Sequence, residues 1–202
     1  MRAREWYWDD GFEERWDALG LYGSVVVEYM TRLFLGPDRL ERYSLEQIAQ
    51  GIWFLIGESS PGQSAYTLLK SNAPLQQRIG CVDAMTNFFR VFVAPAAPGT
   101  ADEANNPLHK ACYMWWDIFP TRGDDPSPGE ANLHDACLNA MAAILRIPCE
   151  LCQLSALHGL NHWHLHHAEK VESIVDAFLQ NSSGLTSRMV EYAAIARSGR
   201  AQ

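Results

Sequence analysis

The chain has 202 residues, a formal net charge of −8 and a hydrophobic fraction of 48%. This length and apolar content suit one domain with an ordinary packed core. The acidic charge balance argues against non-specific nucleic-acid binding, which requires clustered lysine and arginine. We therefore expect a single helical domain over residues 1–202 and no nucleic-acid partner.

The cysteine count and the longest apolar stretch indicate where in the cell the protein is located. Five cysteines is an odd number, and the opening MRAREWYWDDGFEER lacks the apolar region of a secretory signal. The longest apolar stretch, residues 21–35, contains Glu28 and Arg32, and it is too short and too charged to span a bilayer. The sequence thus predicts reduced thiols, a cytoplasmic location and no membrane partner.

The chain begins with an aromatic, acidic lead-in at residues 1–11 and ends with a tail at residues 198–202. Between them, helix-breaking and capping patterns divide the sequence into predicted helices. Gly36-Pro37 is a strong breaker, and Ser44-x-x-Gln47 has the form of a capping box. Pro74 and Pro107 can each open a helix, because the first helical turn has no use for their missing N–H. The predicted helices cover residues 12–35, 45–56, 64–70, 74–92, 107–119, 131–146, 149–167, 169–180 and 185–197.

No region shows sustained alternation of apolar and polar residues between hairpin turns, which is the pattern of a half-buried strand. The helical segments instead carry apolar residues at the spacing of an amphipathic helix. The sequence therefore predicts an all-α fold with eight or nine helices in antiparallel pairs.

The densest chemistry lies in residues 149–167, CELCQLSALHGLNHWHLHH, directly after Pro148. This stretch is predicted as one helix. At about 100° per residue, its cysteines and its histidines form two rows that lie about 120° apart. One zinc ion therefore cannot take ligands from both rows of a straight helix. The cysteine row is Cys149 and Cys152, and the histidine row is His158, His162 and His166.

The spacing of His158 and His162 is that of the two ligands in H-E-x-x-H metalloproteases. The intervening residues are Gly-Leu-Asn, so the general-base glutamate is missing. A third ligand would have to come from elsewhere in the chain, and His134 and Asp135 are the candidates. The favoured interpretation is histidines that pack, cap or face solvent, with no cofactor. A metal-dependent enzyme is the alternative.

The pair Cys149-x-x-Cys152 is also compatible with a redox role, because the start of a helix lowers the pKa of a thiol. Thioredoxin-like proteins place such a pair in a βαβ unit, which this sequence does not predict. Buried structural thiols are the favoured interpretation.

Residues 149–180 carry a resemblance to a known family. The phrase SALHGLNHWH, followed by EKVESIVDAFL, resembles small bacterial HEAT-like proteins. In that resemblance, residues 149–164 form an outer helix and residues 169–180 an inner helix after a short turn. It implies an irregular HEAT- or ARM-like solenoid that binds other proteins along its inner helices.

The common nucleotide fingerprints, G-x-G-x-x-G and G-x-x-x-x-G-K-[ST], and the G-x-S-x-G elbow are not present. The leading hypothesis is therefore a non-enzymatic module that binds another protein, such as a toxin-neutralising immunity protein or an adaptor. A purely structural subunit is a further hypothesis. The residues predicted to contact the partner are Trp115, Trp116, Asp124 and Asp125.

Overall fold

A computed structural model describes residues 23–57, 73–97, 106–118, 129–181 and 184–200. Within these ranges the chain is helical and has no strand, which confirms the predicted all-α class. The α-helices are α1 (Ser24–Leu35), α2 (Leu45–Ile56), α3 (Leu75–Phe88), α4 (Leu108–Tyr113), α5 (Trp115–Ile118), α6 (Ala131–Leu145), α7 (Glu150–Asn181) and α8 (Ser187–Arg197).

Local signals account for most of these helix ends. Helix α1 ends before Gly36, and the following Pro37 begins a 3₁₀ turn, Pro37–Leu40. Ser44 and Gln47 form the predicted capping box, since each side chain bonds the backbone N–H of the other residue. Pro74 and Pro107 directly precede α3 and α4.

Helix α3 runs on without a break through a π-helical turn, Phe89–Val93, and a last turn, Ala94–Ala96. Two side chains of α3 attach it to α1: Gln77 Nε2 donates to the Ser24 carbonyl at 2.8 Å, and Asn87 Nδ2 donates to the Phe34 carbonyl at 2.9 Å. Because one amide bonds the beginning of α1 and the other bonds its end, the two hydrogen bonds fix the register of α1 on α3.

Helix α7 is the element around which the described helices assemble, because α4, α5, α6 and α8 all contact it. Its first half is buried almost all round, which a helix tolerates only between neighbours on several sides. Further along α7, the apolar side chain of Leu165 is 80% exposed. The buried residues of all these helices form one continuous core.

The predicted outer and inner helices at 149–164 and 169–180 are joined in the structure. Helix α7 covers both, and its only non-helical backbone is at His167, with φ −134° and ψ 33°. No glycine or proline stands between them, so nothing in residues 165–168 ends the helical hydrogen bonding. The connection is a kink instead of a turn between two helices.

Two further expectations from the sequence concern the number of helices and the membrane. The predicted helix at 64–70 and the first part of the predicted helix at 12–35 lie outside the described residues, so the count of eight or nine stays a prediction. Among the described helices, none is both long and apolar enough to cross a membrane.

Candidate metal centre

Three residues of α7, spaced four apart, hold the α4–α5 segment against it. Ser155 Oγ donates a hydrogen bond to the Cys112 carbonyl, and Trp163 Nε1 donates to the Trp116 carbonyl at 3.1 Å. Gly159 lies between them on the same face of the helix. This row attaches the α4–α5 segment to α7 at successive turns, at Cys112 of α4 and at Trp116 of α5.

Gly159 is where the two segments approach most closely. A Cβ atom built at this position would lie 2.2 Å from Trp116 Cβ and 2.9 Å from Met141 Sδ. Both distances are well inside van der Waals contact, so any side chain here would push α5 away from α7. The glycine that stands in place of the metalloprotease glutamate therefore serves close packing.

This close approach brings Asp117, the residue after Trp116, to the two histidines of the predicted pair. Asp117 Oδ1 lies 3.4 Å from His162 Nδ1. Asp117, His158 and His162 each offer a ligand atom, and these atoms lie within 4.8 Å of one another. Among the described residues, no other group of three histidine, cysteine or carboxylate side chains converges in this way.

Asp117, His158 and His162 differ in their exposure to solvent. His158 is buried, whereas the side chains of Asp117 and His162 are 22% and 38% exposed. The group therefore lies at the surface with its inner side closed by protein. Its outer side is formed by the partly exposed side chains of Asp117 and His162.

Two tyrosine side chains contact the His158 imidazole. The Tyr113 ring stacks on the imidazole with 3.9 Å between ring centroids, and Tyr192 Oη lies 3.0 Å from His158 Nδ1. Tyr192 Oη also lies 2.7 Å from Tyr113 Oη. His158 Nε2 is buried and has no hydrogen-bond partner among the described residues.

These contacts accommodate a tautomer of His158 that carries its proton on Nδ1. Burial, with the Tyr113 hydrogen bond acting in the same direction, raises the pKa of Tyr192, so this phenol keeps its proton. If Tyr192 donates that proton to Tyr113, its oxygen is free to accept from His158 Nδ1–H. The lone pair of the imidazole is then on Nε2.

The charge state of His158 agrees with this arrangement. Burial, together with the neighbouring His162, lowers the pKa of His158 to about 4. The imidazole is therefore neutral near pH 7, which is the form that binds metal ions.

The other two predicted ligands lie elsewhere. His134 Nδ1 is 3.1 Å from His167 Nε2, and the His134 ring packs on Trp163 with 5.1 Å between centroids. Asp135 forms an ion pair with Lys170. Neither residue belongs to the converging group, so the third ligand position falls to Asp117, which the sequence reasoning missed. The available signal was an aspartate directly after two adjacent tryptophans.

The residues predicted to contact a partner are not available as a set. The structure buries both Trp115 and Trp116 completely, so neither indole can reach another protein while the core is folded. Adjacent tryptophans on a short helix are both enclosed here because α3 covers one face and α7 covers the other. Asp124 and Asp125 lie outside the described residues.

The cysteine row of α7 lies apart from the histidines, as the helical wheel predicts. Cys149 Sγ is 3.7 Å from the Ala97 carbonyl oxygen, and Cys152 Sγ is 3.7 Å from the Phe89 carbonyl oxygen. Phe89 belongs to the continuation of α3 and Ala97 directly follows it, so neither carbonyl is part of α5. The thiols therefore take no part in the Asp117, His158 and His162 group.

Comparisons with known proteins leave the site to be judged on its own geometry. Searches of protein-family models, of curated proteins and of solved structures find no match to this chain.

Proposed function

We propose that the protein is a metal-dependent enzyme whose divalent transition-metal ion is held by Asp117, His158 and His162. The observation that carries this proposal is the convergence of three ligand atoms within 4.8 Å. The sequence alternative of a His158 and His162 site is retained, with Asp117 in place of His134 or Asp135.

The separation of the ligand atoms suits one shared ion. Zinc bonds to histidine nitrogen and carboxylate oxygen are about 2.0–2.2 Å long, so two ligands of a tetrahedral ion lie about 3.4 Å apart. Asp117 Oδ1 and His162 Nδ1 are 3.4 Å apart, which is long for a charge-assisted hydrogen bond. The buried and unpartnered His158 Nε2 gains a partner if it faces the same ion.

The donor set indicates which ions fit. Two imidazole nitrogens and one carboxylate oxygen suit Zn²⁺, and the same set with open positions is typical of non-haem Fe²⁺ sites. Three protein ligands leave a position for water or substrate, as in catalytic sites and unlike closed structural ones. A metal ion there would supply Lewis-acid polarisation or an activated water.

The surrounding residues support a binding role. Histidine ligands usually donate their second ring N–H to a neighbouring oxygen, which fixes the ring and its tautomer. Tyr192 occupies this position at His158 Nδ1, and Tyr113 covers the ring face. Trp163 and Ser155 meanwhile hold the backbone that carries Asp117.

Elemental analysis of protein purified without a histidine tag tests the proposal. We expect about one equivalent of metal, or tight uptake of added Zn²⁺ or Fe²⁺ by metal-free protein. Asp117→Asn and His162→Ala should weaken binding by more than about 100-fold, because each removes one of only three ligands. His166→Ala is the matched control, since His166 is exposed, lies one turn further along α7 and is outside the group.

Metal-free protein that takes up neither ion would contradict the proposal. Asp117 and His162 would then form an ordinary partly exposed ion pair. Equal binding by wild type and Asp117→Asn would place any bound metal elsewhere.

Removing the Tyr192 hydroxyl should weaken metal binding less than removing a ligand does. Tyr192→Phe should weaken metal binding by about 10- to 100-fold, because His158 Nδ1–H loses its acceptor and the tautomer is no longer fixed. Tyr113→Phe should have a smaller effect, since Tyr192 keeps its oxygen. Competition titration against a chromogenic chelator measures both, with Tyr29→Phe, at an exposed tyrosine, as control. An unchanged dissociation constant for Tyr192→Phe would remove Tyr192 from the site.

The protein-interaction role stays a second proposal, and one observation favours it. Among the described residues, α1, the 3₁₀ turn and α2 line an apolar groove of about 410 Å³. The groove is lined mainly by Leu33, Leu40, Tyr43, Ile48, Ile52 and Leu55. Tyr43→Glu should abolish binding of any partner protein that uses this groove and leave metal content unchanged.

A further inference from the structure

A polar pocket lies between α4, α7 and α8, beside the two tyrosines that contact His158. Its volume is about 390 Å³, within the range of about 300–1,000 Å³ that is usual for small-molecule sites. The described residues that line it are His109, Lys110, Tyr113, Leu154, Arg188 and Tyr192. Asp117, His158 and His162 are not among them, so the pocket is separate from the candidate metal centre.

The charged side chains of this lining are positive. Lys110 of α4 contributes an ammonium group and Arg188 of α8 a guanidinium group, and among the described residues no carboxylate lines the pocket. The chain as a whole is acidic, with a formal net charge of −8. A concave site that carries two positive charges on an acidic protein attracts anions locally.

Arg188 stands where its own helix disfavours a cation. It lies in the first turn of α8, and that turn contains no acidic residue. The beginning of a helix carries a partial positive charge, which repels a cation and attracts an anion. The arginine therefore does not help to stabilise α8, whereas an anion beside it would be attracted by the guanidinium and by the helix dipole together.

The two tyrosines of the lining can supply a hydrogen-bond donor to the same anion. Tyr192 Oη lies 3.0 Å from His158 Nδ1 and 2.7 Å from Tyr113 Oη. When His158 carries its proton on Nδ1, it donates to Tyr192, and Tyr192 donates to Tyr113. The O–H of Tyr113 is the last donor of this series, so its proton can be donated to a ligand in the pocket.

We propose that this pocket binds the phosphate group of a small organic molecule. Two cations match the charge of a phosphate monoester, which is about −1.5 to −2 at neutral pH. A guanidinium can bond two phosphate oxygens at once, and an ammonium acts on them as a point charge. Lys110 and Arg188 carry the inference, so it does not depend on a metal ion at the neighbouring site.

Calorimetric titration of the intact protein with inorganic phosphate, in a low-salt buffer, tests this pocket. We expect saturable binding that Lys110→Gln and Arg188→Gln each weaken by about 10-fold, because each removes one charged donor. Tyr113→Phe should also weaken it, by a smaller factor. Arg90→Gln is the matched control, since Arg90 is an exposed arginine outside the pocket, and it should bind phosphate as wild type does.

Asp117→Asn separates this site from the candidate metal centre. The variant should keep the wild-type affinity for phosphate, because Asp117 does not line the pocket. Loss of phosphate binding in this variant would show that the anion binds at the metal centre, and it would overturn the proposal. Protein that contains no metal and still binds phosphate through Arg188 would contradict the proposed function and support the phosphate site.

Three other results would overturn the proposal. The first is the absence of saturable phosphate binding to wild-type protein. The second is an unchanged affinity in both Lys110→Gln and Arg188→Gln, which would place the anion elsewhere. The third is acetate binding as tightly as phosphate, because the site would then not distinguish a doubly charged anion from a singly charged one.

Discussion

Replacing Gly159 by alanine should lower the free energy of unfolding by about 3 kcal/mol, towards the upper end of what overpacking a core usually costs. The added methyl group would lie 2.2 Å from Trp116 Cβ, so α5 and α7 would have to separate. The sign of this effect is diagnostic, because alanine normally stabilises a helix interior by about 1 kcal/mol relative to glycine. Urea denaturation measures it as a lower midpoint at an unchanged slope.

Gly80→Ala is the matched control for this change. Gly80 lies inside α3, is exposed, and would have no atom within 4 Å of a new Cβ. We expect a gain of about 0.5–1 kcal/mol there, because alanine has less backbone entropy to lose. If Gly159→Ala is as stable as wild type, α5 does not rest on α7 as described. Asp117 would then not be held beside the two histidines.

Replacing Trp115 by alanine should cost about 3–5 kcal/mol, the usual range for removing a large buried aromatic side chain. Trp115 is completely buried, and its ring centroid lies 5.6 Å from that of Phe34, 5.8 Å from Phe88 and 5.2 Å from Phe89. The residue therefore joins α1, α3 and α5, and its loss leaves a cavity where three helices meet. Thermal or urea unfolding followed by circular dichroism measures the loss.

Two control variants test whether the loss of stability in Trp115→Ala comes from the loss of buried aromatic volume. Trp115→Phe keeps most of the aromatic volume and should be distinctly less costly than alanine. Leu165→Ala should change stability by no more than about 0.5 kcal/mol, because Leu165 is 80% exposed. A Trp115→Ala protein as stable as Leu165→Ala would mean that this indole is not part of the core.

The sequence by itself determined the helical class and most helix ends. Gly36-Pro37, the Ser44 and Gln47 capping box, Pro74 and Pro107 all act within one turn of chain, so their effects can be predicted without knowing the fold. The separation of the cysteine row from the histidine row follows from helical geometry in the same way. The sequence predicted a turn between two helices where the structure has a kink at His167. Residues 165–168 contain no glycine or proline, so no local signal showed whether the helix ends there or only bends.

Only the tertiary structure decided the composition of the candidate site. Asp117 and His162 are distant in the chain, and they meet because Gly159 lets α5 lie against α7. The same packing helps to bury both Trp115 and Trp116, which the sequence offered as partner contacts. Separately, the packing of α6 on α7 places Asp135 beside Lys170, away from the two histidines. A helical pattern identifies which residues share a face, but which other helix covers that face depends on the packing of the whole core.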